Sequence, residues 1–179
     1  MEINVWAPGT LSWKGKYFRC AIGRGGIAAN KVEGDGVTPV GVLSLRQVFY
    51  RPDRLGAPET GLAVRALELD DGWCDEPTHD AYNRLVKTPF AAGHETLWRD
   101  DGIYDIIVVI GYNDDPVVTG KGSAIFLHVA KEGYKPTQGC VALTEGDLLA
   151  LLRECADDTR MNILTQAPPD SHAGQTGSI

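Results

Sequence analysis

The stretch Ile125-Phe-Leu-His128, followed by Pro136-Thr-Gln-Gly139-Cys140-Val-Ala-Leu143, places a histidine at the end of one apolar run and a cysteine on the next element along. We expect His128 at the end of a strand and Cys140 just before a segment that leads into a helix. A thiol becomes a good nucleophile near neutral pH only where a base or a positive field favours the thiolate, and an imidazole supplies both. His128 and Cys140 are therefore a candidate catalytic dyad.

Gly139 stands directly before this cysteine. A glycine lets neighbouring backbone N–H groups turn toward one point, and such amides stabilise the oxyanion of an acyl-transfer intermediate. The alternative is a buried structural cysteine beside a satisfied core histidine, which is the commoner situation for an unrelated pair.

The rest of the chain predicts a mainly β protein. Twenty-one glycines and ten prolines separate short runs rich in Val, Ile, Phe, Tyr and Thr. The predicted strands run from Glu2 to Trp6, Lys16 to Ile22, Val42 to Tyr50, Leu62 to Leu67, Tyr104 to Ile110 and Ala124 to Val129. The segment Ala7–Thr10 predicts a turn between the first two. The continuous apolar run Ile106–Ile110 predicts a central strand that is covered on both faces.

One helix is expected after the cysteine. Thr144 suits its N-cap, and four leucines between 148 and 152 supply an apolar side, so the helix should end near Cys155 to Asp158. Met161–Leu164 predicts a closing strand. We therefore expect a single domain over residues 1–165 and a mobile tail over residues 166–179.

Composition excludes several classes of function. The net charge of −7 disfavours nucleic acid and anionic membranes as partners. The N-terminus lacks the features of a signal peptide, and no apolar run is long enough for a membrane span, which predicts a cytoplasmic protein. The four cysteines show no CxxC spacing, which argues against a zinc cluster or a thioredoxin-like pair. No cofactor is expected.

The pattern around Cys140 resembles the L,D-transpeptidase catalytic domain family (YkuD-like). The family signature is a His, a variable loop, and then Ser-His-Gly-Cys followed by Ile or Val and Arg. A second hallmark, a Thr-Pro-x-Gly turn after a Gly-rich loop, is matched by Gly34-Asp-Gly-Val-Thr38-Pro-Val-Gly41. The resemblance spans about Ile3 to Leu164, and it implies a β-sandwich-like fold with an irregular central insertion.

The same resemblance implies roles for the residues of the motif. Cys140 would be the nucleophile, and His128 the general base with its second ring nitrogen oriented by a backbone carbonyl. The amides of Gly139 and Cys140 would form much of the oxyanion hole. The spacing of 12 residues from His128 to Cys140 is short for the family. Gln138 replaces the usual histidine, where it is expected to contribute through its backbone or as an amide donor.

Ala142 replaces the usual arginine, so another cation is expected to hold a substrate carboxylate. The candidates are Arg84 and Arg99, both in the central segment from Asp70 to Gly102, although Arg99 could instead be neutralised by the aspartates that follow it. Trp73 is expected to supply an aromatic wall. Tyr112 and Asn113, in a polar turn before the histidine strand, are further expected cleft residues, and Ser123 is a weaker one.

These features predict a cysteine L,D-carboxypeptidase that releases the terminal D-alanine of a murein stem tetrapeptide during peptidoglycan recycling. The alternatives are L,D-transpeptidation or D-amino-acid exchange, and a non-catalytic module that binds murein peptides. A metal-dependent hydrolase that uses His79 or His94 is also conceivable, although no recognised ligand spacing is present. The oligomeric state is left open.

Overall fold

The strand Ile106–Ile110 forms the centre of the protein. In the computed structural model, which describes residues 2–169, all five of its residues are buried. The first, third and fifth side chains face one hydrophobic core, and the second and fourth face another. The strand is therefore covered on both faces, as its continuous apolar sequence predicted.

The described residues form a mainly β structure, which confirms the predicted class. The strands are β1 (Glu2–Trp6), β2 (Thr10–Trp13), β3 (Lys16–Arg19), β4 (Ile27–Ala28), β5 (Thr38–Pro39), β6 (Gly41–Tyr50), β7 (Ala63–Ala66), β8 (Asp71–Cys74), β9 (Leu85–Lys87), β10 (His94–Thr96), β11 (Ile106–Ile110), β12 (Phe126–Val129), β13 (Val141–Leu143) and β14 (Arg160–Leu164). Between residues 2 and 169 the one α-helix is α1 (Glu145–Leu152), and a 3-10 turn spans Glu132–Tyr134.

Nine strands form one sheet in the order β13-β12-β11-β6-β14-β1-β2-β3, with β7 beside β6. Strand β6 joins the two halves of this sheet. Its residues 41–44 pair with β14, and its residues 45–50 pair with β11. Side chains from both halves meet α1 in the larger core. The arrangement is sandwich-like, and it places β12, with His128, beside the parallel strand β13, which follows Cys140.

Helix α1 begins where the sequence predicted. The Thr144 hydroxyl accepts a hydrogen bond from the Asp147 N–H and so caps the first turn. The helix ends at Leu152, earlier than the predicted end near Cys155 to Asp158. The amides of Glu154 and Cys155 bond three residues back instead of four, and the two aspartates at 157 and 158 oppose the negative end of the helix dipole.

Several strands differ from their predicted bounds. Strand β3 ends at Arg19 instead of Ile22, because the chain then turns toward the cysteine loop, where Ala21 and Ala142 exchange backbone hydrogen bonds. Strand β2 was not predicted. The expected turn over Ala7–Thr10 leads into it, and residues 14 and 15, both with positive φ, connect it to β3.

The segment from Asp70 to Gly102 is more regular than its sequence predicted. It contains a small sheet in the order β10-β8-β9, and all four residues of β8 are buried. Residues 165–169 carry no regular structure, and the remainder of the predicted tail, residues 170–179, lies outside the described residues. No helix among the described residues is long and apolar enough to cross a membrane.

Candidate active site

The loop before Cys140 is held by its own threonine. The Thr137 hydroxyl donates to the Cys140 carbonyl oxygen at 2.6 Å and accepts from the Gly139 N–H at 3.1 Å. The Gly139 amide, expected in the oxyanion hole, is therefore engaged within the loop. Among the described residues no acceptor is found for the Cys140 N–H, so this amide is free to stabilise an oxyanion.

Strand β5 supports the same loop through the side chain of its threonine. The buried Thr38 hydroxyl donates to the Gly139 carbonyl oxygen at 2.8 Å and accepts from the Gly23 N–H at the same distance. A β-carbon on Gly139 would lie 2.9 Å from the Val37 carbonyl oxygen, which requires glycine there. The Thr38-Pro-Val-Gly41 motif thus supports the cysteine loop directly.

Cys140 is buried against the start of β12. Its Sγ accepts from the Phe126 N–H at 3.4 Å, and its S–H donates to the Ala124 carbonyl oxygen at 3.2 Å. Burial first, and then the charge of Glu95, raise the pKa of the thiol to about 12. The thiol is therefore neutral at rest, and its proton must leave during an attack.

His128 is oriented by a backbone carbonyl. Its Nδ1 lies 2.9 Å from the Val129 carbonyl oxygen. Since a carbonyl only accepts, Nδ1 carries the proton and Nε2 keeps the lone pair of a base. Burial lowers the pKa of His128 to about 4, although the bond to Val129 opposes this shift. The imidazole is thus neutral near pH 7, and the ring of Tyr104 packs edge-on against it at 5.4 Å.

Both residues of the dyad line one cleft of about 470 Å³, within the range of small-ligand sites at roughly 300–1,000 Å³. No hydrogen bond joins the Cys140 Sγ to the His128 ring in the part of the chain that the structure describes. The thiol must therefore rotate away from Ala124 before His128 can take its proton, and such bonds commonly tighten only when substrate is bound.

Three carboxylates make one side of this cleft acidic: Glu33, Asp75 and Glu95. Within residues 2–169 none of them forms an ion pair, and hydroxyl groups donate hydrogen bonds to two of them. Glu33 accepts from Tyr82 and Ser123, and Glu95 accepts from Tyr104. Burial and then mutual repulsion raise the pKa of Asp75; burial is also the largest cause of the raised pKa of Glu95.

Four cations line the cleft as well: Lys31, Arg99, Lys131 and Lys135. Arg99 was a predicted substrate contact, and it also forms the predicted ion pair, with its Nη2 atom 2.6 Å from an Asp101 oxygen. The charges of Arg99 and Lys131 both act on His128. Gln138, a further predicted contact, lines the cleft beside Cys140.

Four other predicted substrate contacts do not line the cleft: Arg84, Trp73, Tyr112 and Asn113. The Arg84 side chain is exposed elsewhere, and Trp73 is buried in the smaller core, where it packs edge-on against Phe126. The Tyr112 hydroxyl donates to the Lys121 carbonyl oxygen, and the Asn113 side chain binds the loop backbone at Val118 and Gly122. Through these contacts the two residues hold the backbone that leads to Ser123, which lines the cleft.

Sequence reasoning missed a residue that connects the central segment to the site. The buried Asn83 side chain accepts from the Trp73 indole and from the Ala124 N–H, both at 3.0 Å, and donates to two carbonyl oxygens. Ala124 has a positive φ of 53° and accepts the Cys140 thiol. Asn83 therefore fixes the acceptor of the thiol proton. The sequence did not single out Asn83, because an aromatic residue, Trp73, and a cation, Arg84, in the same segment were the more obvious candidates for substrate contact.

The histidines of the central segment make local contacts. His79 accepts from the Ala81 N–H, His94 lies near the Ala92 carbonyl oxygen, and both rings pack against Phe90. Among the described residues, one group has metal-ligand spacing, Glu68 with Asp70 and Asp71, and Lys87 pairs with all three. Neither histidine belongs to it.

Comparison with known proteins gives one match. The family model of the L,D-transpeptidase catalytic domain (YkuD) matches residues 3–163. No curated protein and no solved structure gives a significant match. The matched range runs from the second residue of β1 to the fourth residue of β14, and it includes every residue of the cleft.

Proposed function

The chain belongs to the L,D-transpeptidase catalytic domain family, and from this premise we propose that it is a cysteine L,D-carboxypeptidase. Its substrate would be a soluble murein stem tetrapeptide, from which it removes the terminal D-alanine. The observation that carries the proposal is the shared cleft, in which Cys140 and a neutral His128 meet charged groups of both signs.

The geometry supports a two-step reaction. Nε2 of His128 takes the thiol proton as Sγ of Cys140 attacks the carbonyl carbon at the L-centre, and the Cys140 N–H binds the oxyanion. The C–N bond then breaks, and His128 gives its proton to the leaving D-alanine amine. Water, deprotonated by His128, next attacks the thioester; the C–S bond breaks and the thiolate recovers the proton.

The size and charge of the cleft favour hydrolysis of one peptide. A transpeptidase must admit an acceptor peptide as well as a donor, whereas a carboxypeptidase admits one peptide and water. Arg99 is suited to the terminal carboxylate, since a guanidinium keeps free donors beside its Asp101 pair. The carboxylates of the cleft suit a free amine of the diamino acid.

Mass spectrometry of reactions with a disaccharide tetrapeptide tests the proposal. We expect tripeptide and free D-alanine from the native protein and no product from Cys140→Ala. Cys155→Ala is the matched control, because Cys155 is equally buried but lies outside the cleft. With an added D-amino acid, a swapped terminal residue would instead identify exchange activity.

Iodoacetamide labelling separates an enzyme from a peptide-binding module. All four cysteines are buried, but of these only Cys140 lines the cleft. We expect selective labelling of Cys140 that slows in His128→Ala. Equal and slow labelling of all four thiols, with no turnover of the tetrapeptide, would favour the binding module.

A further inference from the structure

Lys31 is the buried cation of the cleft. Its residue exposure is 7%, whereas the other lysines of the described chain are exposed. Burying an ammonium is costly unless it is paired, and long charged side chains normally keep the head group in water. Lys31 is therefore held, at a cost to stability, in the wall of the cleft that contains the candidate nucleophile.

The loop after β4 fixes the position of this ammonium. Asp35 accepts from Lys31 Nζ at 2.8 Å, and the same carboxylate accepts from the N–H groups of Val32 and Val37. The carboxylate thus organises the segment that continues into Thr38 and supports Gly139. A weak bond of 3.4 Å runs from Nζ to the Val32 carbonyl oxygen, which leaves one of the three N–H donors without an acceptor among the described residues.

The stem of Lys31 passes against Gly122, on the far side of the loop. A β-carbon on Gly122 would lie 2.7 Å from Cε of Lys31 and 3.4 Å from Nζ, so the glycine makes room for the side chain. The ammonium is consequently held between the loop that supports Gly139 and the segment that leads to Ala124. The first of these segments supports Gly139, the residue before Cys140, and the second carries the carbonyl oxygen that accepts the Cys140 thiol.

The charge of this ammonium reaches the nucleophile. Lys31 and Cys140 line the same cleft, and the ammonium acts to lower the pKa of the thiol. Glu95 acts on Cys140 in the opposite direction.

We propose that Lys31 supplies the positive field that stabilises negative charge at the reaction centre, on the Cys140 thiolate and on the oxyanion that follows it. This inference rests on the proposed role of Cys140 as nucleophile. The chain has Ala142, fully buried in β13, where the family pattern has arginine, so a positive charge near the nucleophile has to come from another segment. The cation is supplied by a different loop, and Lys31 is a positioning residue that acts through its field.

The test measures the rate of iodoacetamide labelling of Cys140 against pH, together with kcat and KM for the tetrapeptide. Lys31→Met removes the charge at similar length, Lys31→Gln also keeps a donor for Asp35, and Lys31→Arg keeps the charge. Lys16→Met, on the exposed strand β3, is the matched control. We expect the two neutral variants to label about tenfold more slowly at a fixed pH, with the profile moved about one unit upward, and kcat to fall by a similar factor.

Lys31→Arg should restore most of the rate, and KM should change less than kcat. If Lys31→Met fails to fold, Lys31→Gln gives the same comparison. A neutral variant that keeps the native labelling profile would overturn the inference, whatever its thermal stability, because Lys31 would then only clamp the loop. A profile that shifts as expected in a protein without tetrapeptide turnover would leave the inference standing and would refute the carboxypeptidase proposal.

Discussion

The candidate nucleophile and base are both neutral at rest. Burial gives Cys140 a pKa of about 12 and His128 a pKa of about 4, so a preformed thiolate and imidazolium are disfavoured near pH 7. The proton must move from sulfur to nitrogen during the attack, after the thiol leaves the Ala124 carbonyl oxygen. Groups that stabilise the resulting negative charge, such as the Cys140 amide and Lys31, therefore carry more weight than they would beside an exposed thiolate.

Buried neutral His128 should make stability depend on pH. Its pKa is about 4 in the folded state against 6.5 in the unfolded chain, so the unfolded chain binds more protons between these values. The stabilisation is fully present above pH 6.5 and is lost as the pH falls toward 4. Between pH 7 and pH 5 we expect a loss of about 2 kcal/mol in the free energy of unfolding from this group.

Urea denaturation at both pH values, compared with His128→Gln, measures this contribution. Glutamine does not titrate, and the acidic groups with shifted pKa values are common to both proteins, so the difference isolates the imidazole. An equal loss of stability in the native protein and in the variant would show that His128 is already exposed to solvent.

The contact between strand β5 and the cysteine loop can be tested through the Thr38 hydroxyl. Thr38→Val keeps the shape of the side chain but leaves the buried Gly23 N–H and Gly139 carbonyl oxygen without their partner. We expect a loss of about 2 kcal/mol in the free energy of unfolding, together with slower labelling of Cys140. Thr38→Ser, which keeps the hydroxyl, should retain most of both. If valine matched serine in both measurements, the hydroxyl would not be supporting the loop.

Local sequence patterns predicted the elements better than their functional contacts. The apolar run of β11 and the Thr144 cap were sufficient to predict a central strand and the start of a helix. In the central segment, however, the two residues predicted to contact substrate, Trp73 and Arg84, do not line the cleft. Trp73 is enclosed in β8 and Arg84 faces outward, whereas Asn83 between them reaches Ala124. Which neighbour faces the cleft depends on the small sheet β10-β8-β9, whose strands are too short to show a period.

The cleft as a whole depends on long-range packing. Lys31 and Glu33 follow β4, Glu95 lies in β10, and His128 lies in β12, so no local motif brings these charges together. The strongest sequence signal, the dyad with the Thr38 turn, predicts only the residues around the nucleophile and the base. The walls come from loops that are far apart in sequence, which is why Arg99, Gln138 and the weaker candidate Ser123 line the cleft whereas the other predicted contacts do not.

The acidic side of the cleft should be maintained at a cost to the stability of the whole molecule. Glu95 is half-buried near Asp75 and Glu33 without an ion pair among the described residues, and desolvation, then this repulsion, raise its pKa. A raised pKa means that the ionised carboxylate destabilises the fold as the pH rises. Glu95→Gln removes this charge and keeps an oxygen that can accept from the Tyr104 hydroxyl.

We therefore expect Glu95→Gln to have a higher Tm than the native protein at pH 7, with a gain that shrinks as the pH falls through the pKa of the folded state. Because Glu95 also raises the pKa of Cys140, the variant should label faster with iodoacetamide, opposite in direction to Lys31→Met. Glu59→Gln is the matched control, since Glu59 is exposed and does not line the cleft. An unchanged or lower Tm at pH 7, with slower labelling of Cys140, would mean that Glu95 is stabilised by a partner in the folded protein and does not oppose the thiolate.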